Sequence, residues 1–373
     1  MPKKTGGPER PSTRPTDPEA LTTKPTIKKA VETEPLPGIR IWEASYEKDI
    51  GKPNEDAVFQ DLDDQGRCGT FLVSDGIGGK ACGEVASGLI RDRVRAEQGQ
   101  IRGIQRLRRA NSEDEVTGLD GEPIREEQIL KETLEAAHRD ILETGKKEID
   151  KLGMGATATL ARLIERPSDG AKELAFAHCG DTRLSLLHAD GTLGVLTLDM
   201  HPVLEVLKDR HGIEIAMGVQ AMLDEIGNSF EYKKLIEAWP SELPSGIDYA
   251  LFDKIHPFLS LELAKVYFNL RARVEYTLGG TLKIQTGRIE VPSGSRIILT
   301  TDGIHDNLFG REIAAILSGD FDKIEDLEIR HSAELADRPT DRLIWAAQAR
   351  AAELGAHPRS KGRDDMSVII VEI

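Results

Sequence analysis

Short β-rich runs recur through residues 39–373, and helical periodicity is confined to separate stretches between them. The runs are DAVFQ, TFLVSD, GATATLARLI, LAFAHCGD, TRLSLLHADGTLGVLTLD, TLKIQTGRIEV, RIILTTD and MSVIIVEI. Within HADGTL, an Asp190-Gly191 pair between two alternating segments signals a hairpin. Apolar steps of three and four residues predict helices over 84–98, 126–151 and 339–354. In the second of these, Ile129, Leu130, Leu134, Ala137, Ile141 and Leu142 fall on one face. Strands that cluster as hairpins, with helices apart from them, predict antiparallel sheets covered by helices rather than a parallel βαβ array.

Three stretches stand outside this pattern. Residues 1–38 are rich in Pro, Thr and Lys, lack a sustained apolar period, and read as a disordered tail. Residues 101–125, with RRANSEDEVTGLDGE, read as a surface insertion in the domain spanning 39–373. Residues 202–278 carry nine of the chain's seventeen aromatics, among them Phe258 and Tyr276. A block so long and aromatic is expected to be an insertion with a small core of its own rather than a loop.

The formal charge of −15 over 373 residues argues against a nucleic-acid or anionic-membrane binder, which needs clustered Lys and Arg. It suits a site that gathers carboxylates around metal ions. Three cysteines without CxxC spacing, and the absence of a secretory apolar region, predict a cytoplasmic protein without structural disulfides. No apolar run reaches the ~18 to 20 residues that span a bilayer.

The stretch FLVSDGIGGKACGEVAS ends a buried strand on a carboxylate, Asp75, followed by Gly76, Gly78 and Gly79. Two readings fit it. Asp-Gly makes turns and Asp caps helices; equally, glycines admit a ligand to the backbone and Asp75 can hold a cation there. Other strands also adjoin carboxylates. Asn54, Glu55 and Asp56 precede one, Asp181 follows one, Asp302 and Asp306 follow another, and Asp364 and Asp365 open the last. Each lone charge beside an apolar strand is costly to desolvate, so five such groups suggest convergence on positive charge. The donors are oxygens without zinc-type His/Cys spacing, which favours Mg²⁺ or Mn²⁺. Two such ions can lower the pKa of a shared water and clamp a phosphoryl displacement.

The ordered motifs NEDA, SDGIGG, GMGATATL, CGDTR, LTLDMHP, TDGIHD and GRDDMSVIIV resemble the metal-dependent type 2C (PPM) protein Ser/Thr phosphatases over residues 39–373. The resemblance implies an α+β, four-layer αββα sandwich of two antiparallel sheets, with 202–278 an enlarged flap. It also implies hydrolysis of phosphoserine and phosphothreonine by a metal-activated water in a two-metal site. Asp75 would bridge the ions, and the Gly76 carbonyl would ligate one of them. Glu55 would reach the second, with Asp56 supporting its water shell, while Asp302 and Asp364 complete the first site. Asp181 and Asp306 match positions that in some members hold a third, weaker ion with Asp302. The implied partners are a phosphorylated protein substrate and a cognate Ser/Thr kinase system.

The chain departs from the family at three positions. Ile77 stands where DGHGG members have a proposed acid histidine, and Asp365 replaces a common Asn. Gly51 occupies the place of a phosphate-gripping Arg, which leaves Lys52 beside it as the candidate phosphate-binding and catalytic cation. His305 is read as a surface residue before it is read as an acid, His178 and His201 as structural, and Cys179 as a buried inert thiol. Arg183 is expected in a structural ion pair, and Thr157 and Thr159 in strand packing. Two other functions fit the same residues: a non-catalytic regulatory module of this fold, and a phosphatase of small phosphate esters.

Overall fold

The computed structural model describes residues 29–36, 39–48, 52–63, 66–77, 82–111, 116–117, 122–226, 276–352 and 364–373, together with Lys254 and Phe258. Two antiparallel sheets lie at the centre. The first has the order β1 (Lys29–Leu36), β2 (Ile39–Tyr46), β11 (Met366–Glu372), β10 (Arg296–Thr300), β7 (Arg183–Leu187), β8 (Leu193–Val195). The second has the order β3 (Asp56–Leu62), β4 (Gly69–Gly76), β5 (Ala156–Glu165), β6 (Lys172–Cys179), β9 (Gln285–Val291). Every pairing among the described strands is antiparallel.

The two-residue period of the strands sorts their side chains into three cores. Phe71 and Val73 of β4 meet Ile369 and Val371 of β11 and Ile297 and Leu299 of β10 between the sheets. Leu72 of β4 faces the other way, onto Ala86, Ile90 and Val94 of α1 (Gly83–Asn111) and Leu130 and Leu134 of α2 (Glu126–Lys147). On the opposite side, Trp42, Ile298, Val368 and Ile370 pack under helices that follow β10. These are α6 (Gly310–Ser318), α7 (Leu327–Glu334) and α8 (Pro339–Ala352), preceded by the single turn α5 (Asp302–His305). The central strands are therefore covered on both faces, which is why their sequences run nearly continuously apolar. The architecture is the four-layer αββα sandwich.

Several expectations need correction. Residues 29–36, placed in the unstructured tail, form an edge strand with Lys29 opposite Ser45 and Leu36 opposite Ile39. Proline does not forbid this, because an edge strand leaves one row of N–H groups unused. Residues 1–28 lie outside the described residues. Residues 101–111 of the supposed insertion belong to α1, which runs to Asn111, and 112–115 and 118–121 lie outside the described residues. Its charged sequence misled because the buried face includes Arg108, paired with Glu126 at 2.5 Å and as fully buried as its partner. Leu142, expected on the packed face of α2, is exposed, while Leu130, Leu134, Ala137 and Ile141 are buried. The 202–278 block begins with α3 (Pro202–His211) and α4 (Ile213–Ile226). Of its nine aromatics, Phe258 lies 4.6 Å ring to ring from His211 and Tyr276 packs against the α1–α2 core. The other seven lie outside the described residues. The Asp190-Gly191 hairpin forms, with Gly191 at φ 86° and Leu187 opposite Leu193.

Candidate active site

The register of β3 on β4 places Asp56 directly opposite Asp75, and Asp75 continues the parity of Phe71 and Val73 toward the space between the sheets. Like charges directly opposite on one face repel. Asp302 opens α5 immediately after β10, Asp181 lies between β6 and β7, and Asp364 and Asp365 immediately precede β11. These chain ends meet. Burial and the charges of Asp302, Asp56, Asp181 and Asp364 push the Asp75 carboxyl well above the usual carboxylate range. Burial, joined by Asp365 and Asp302, also raises Asp56, against opposing hydrogen bonds from Ser367 and Thr301.

The structure excludes one part of the first reading of Asp75. This residue does not cap a helix, because α1 begins only at Gly83. It belongs to a carboxylate cluster. Close backbone approach explains the glycine that follows: a Cβ on Gly76 would lie 2.3 Å from the Gly83 carbonyl oxygen. Residues 78–81 lie outside the described residues.

The Asn54–Asp56 segment is clamped from several sides. The Glu55 carbonyl accepts from Gly76 N–H at 3.0 Å and from Ser87 Oγ at 2.6 Å. Its own N–H donates to Asp365 Oδ2 at 2.9 Å, and Lys48 N–H donates to Asp365 Oδ1 at 2.8 Å. Asp365 thus holds two backbone segments in register. Asn54 anchors the turn, with Nδ2 on Ser45 Oγ and Oδ1 accepting Asp56 N–H. Thr301 Oγ1 donates to Asp56 Oδ2 at 2.9 Å, and buried Asp56 Oδ1 has no hydrogen-bond partner.

The lysine among these carboxylates is Lys48, which the sequence reading missed. Its Nζ lies 3.0 Å from Glu55 and 3.1 Å from Asp364. Burial acts to lower the Lys48 pKa, but Asp364, Glu55 and Asp365 outweigh it and raise the ammonium above the ordinary lysine range. Lys52, the cation favoured from sequence, is exposed. No spacing rule separates two lysines four residues apart before the same strand. Asp306 is buried, with its N–H on the Asp302 carbonyl at 2.8 Å, and its charge helps raise Asp199.

The remaining candidates resolve as structure. Arg183 forks Asp199 through Nε at 2.9 Å and bonds Asp224 at 2.8 Å, the expected ion pair. His178 is fully buried between Thr159 Oγ1 and the Leu198 carbonyl, and burial lowers its pKa to about 4. Thr159 therefore does more than pack, since its hydroxyl also bonds Thr182. His201 caps α3 by accepting Val203 N–H. Burial pushes the Cys179 thiol up to about 12. His305 is not a surface residue: it is buried, with Nδ1 2.9 Å from Thr300 Oγ1.

Among the described residues, no three His, Cys, Asp or Glu side chains are drawn close enough to hold a metal ion as they stand. The donor chemistry nonetheless fits hard cations. The cluster is all oxygen, Asp75 is destabilised as an anion by its neighbours, and Asp56 keeps an unpartnered buried oxygen.

Among the described residues, no helix is long and apolar enough to cross a membrane. No curated protein sequence matches the chain. Solved structures do. The S. agalactiae serine/threonine phosphatase superposes with a TM-score of 0.51 at 17% identity, over 90% of this chain and 99% of that one. The Mycobacterium tuberculosis serine/threonine phosphatase PstP/Ppp gives 0.49 at 20% identity, over 90% and 98%. The PstP catalytic domain in complex with 2 manganese ions gives 0.48 at 20% identity, over 90% and 97%. The sequence model of protein phosphatase 2C matches residues 47–336, most of the chain. This chain belongs to the protein phosphatase 2C family.

Proposed function

We propose that this protein is a Mg²⁺- or Mn²⁺-dependent phosphatase acting on phosphoserine and phosphothreonine in proteins. The observation that carries the reading is the convergence of strand ends: Asp56 lies directly opposite Asp75, and the charges of Asp302, Asp56, Asp181 and Asp364 together disfavour the Asp75 anion. Asp75 would bridge two ions, with Asp302, Asp364 and the Gly76 carbonyl on one and Glu55 on the other. Asp181 and Asp306 are assigned to a third, weaker ion. When bound, the ions would supply the charge that makes a water nucleophilic near neutral pH and offsets charge on the phosphoryl oxygens.

The chain's own residues set the frame for that chemistry. Asp365 fixes the backbone of Lys48 and Glu55, and Thr301 orients Asp56. Lys48 brings an ammonium to the Glu55 and Asp364 carboxylates, and Lys52 is retained as a candidate contact for the phosphate. Ile77 has no proton to give, and His305 is buried with Thr300 on Nδ1, so neither side chain is assigned to protonate the leaving alkoxide. Turnover of a phosphopeptide panel beside small phosphate esters, with Mn²⁺ and then with EDTA, tests the reading. Metal-dependent release from phosphopeptides supports it; release from small esters alone moves the substrate class, and no release in any metal refutes it.

A further inference from the structure

The far end of β3 and β4 from Asp56 and Asp75, about 20 Å along the strands, holds a second polar site. A cavity of about 220 Å³ opens there between the strand ends and the second half of α1. Four arginines line it, Arg102, Arg106, Arg109 and Arg162, against two carboxylates, Asp61 and Asp63. In a chain of net charge −15 this gathering of arginines runs against the whole.

Arg102 engages Asp61 and Arg109 engages Asp63. Arg162 has no such carboxylate. It is 4% exposed on β5, and its guanidinium donates to the Ile101 carbonyl at 3.2 Å and Gln105 Oε1 at 3.4 Å. Its Nε has no partner, and neither has Nε2 of Gln105, which is 3% exposed. The charges of Glu126 and Asp63 reach Arg162 without a direct bond; a buried cation that no carboxylate bonds directly is costly, and each unmet buried donor adds to the penalty. Both residues line the cavity, so an acceptor bearing negative charge that reaches these donors from inside it would remove all three costs together. The volume lies below the roughly 300–1,000 Å³ of drug-sized ligand sites. Guanidinium forks match the oxygens of tetrahedral oxyanions.

We propose that this pocket between α1 and the β3–β4 ends binds a small phosphate-type dianion, either inorganic phosphate or a small phosphate monoester, through Arg162, Gln105 and Arg106. The site is independent of the metal chemistry, so it is tested on the full chain in EDTA. Calorimetric titration and thermal unfolding are run with inorganic phosphate and with phosphoserine, each against chloride at equal ionic strength. Saturable binding of either ligand is expected, and the tighter of the two identifies the source. Arg162→Met, which removes the buried charge, and Arg106→Glu, at an exposed position of α1, should each weaken it at least about tenfold. Asp75→Asn should leave it unchanged. Absence of saturable binding to the wild-type chain, or wild-type affinity in Arg106→Glu, would overturn the proposal and leave the cavity to water.

Discussion

Changing Asp365 to Asn removes one acceptor from a side chain that now uses both. Oδ1 accepts Lys48 N–H at 2.8 Å and Oδ2 accepts Glu55 N–H at 2.9 Å, with the residue 4% exposed. An asparagine has one carbonyl oxygen, so its amide nitrogen would face the other backbone N–H, donor against donor. Losing a hydrogen bond to a charged group costs about 1.5–3 kcal/mol. Asp365 also repels Asp56, and relief of that repulsion offsets part of the loss. A net destabilisation of about 1–2 kcal/mol remains, roughly a five- to thirtyfold change in the folding ratio. Urea unfolding of the metal-free protein should show a lower midpoint at an unchanged slope. Asp365→Ala, which loses both acceptors, should fall further. If Asn leaves stability within about 0.5 kcal/mol of wild type, Asp365 does not clamp the two segments as argued.

Lys48→Met removes a cation held between Glu55 and Asp364, so Mn²⁺ should bind more tightly by calorimetry; unchanged or weaker binding would show that the ammonium does not compete with the ion. His178 is held neutral, with a pKa lowered from 6.5 to about 4, so its contribution is complete above about pH 6.5 and is lost as pH falls toward 4. That amounts to about 3 kcal/mol across the window, and His178→Gln should flatten the measured stability between those limits. Glu126→Ala strands the fully buried Arg108 and should cost about 3–5 kcal/mol in urea unfolding, whereas Arg108→Met combined with Glu126→Leu should cost much less.

Most of the sandwich was legible because both faces of its central strands are buried. TFLVSD, RIILTTD and MSVIIVEI announce themselves as apolar runs, and their two-residue parity sends Phe71 inward and Leu72 onto the helices. The second half of α1 was not legible, since Arg102, Arg108 and Arg109 spend their charge on Asp61, Glu126 and Asp63 from distant segments. Arg350 repeats the lesson: it is wholly buried on Glu312 and Asp326, joining three helices through a residue that reads as surface. At the site, the carboxylates could be found because each interrupts the end of an apolar run. The roles of Lys48 and Asp365 could not, because each depends on contacts more than 300 residues apart in the chain.

Phosphopeptide hydrolysis by wild type and Asp75→Asn, each titrated with Mn²⁺, asks whether metal ions held at Asp75 drive turnover. Asn keeps the size of the side chain and removes the charge around which Asp56, Asp181, Asp302 and Asp364 are gathered. Turnover by the wild type should depend on metal, and the variant should lose several kcal/mol of transition-state stabilisation, roughly a thousandfold in rate or more. The variant's unfolding midpoint in EDTA should not fall, because the substitution relieves repulsion. Near-wild-type turnover by Asp75→Asn, or wild-type turnover that survives EDTA, would mean that hydrolysis does not run through cations held at Asp75.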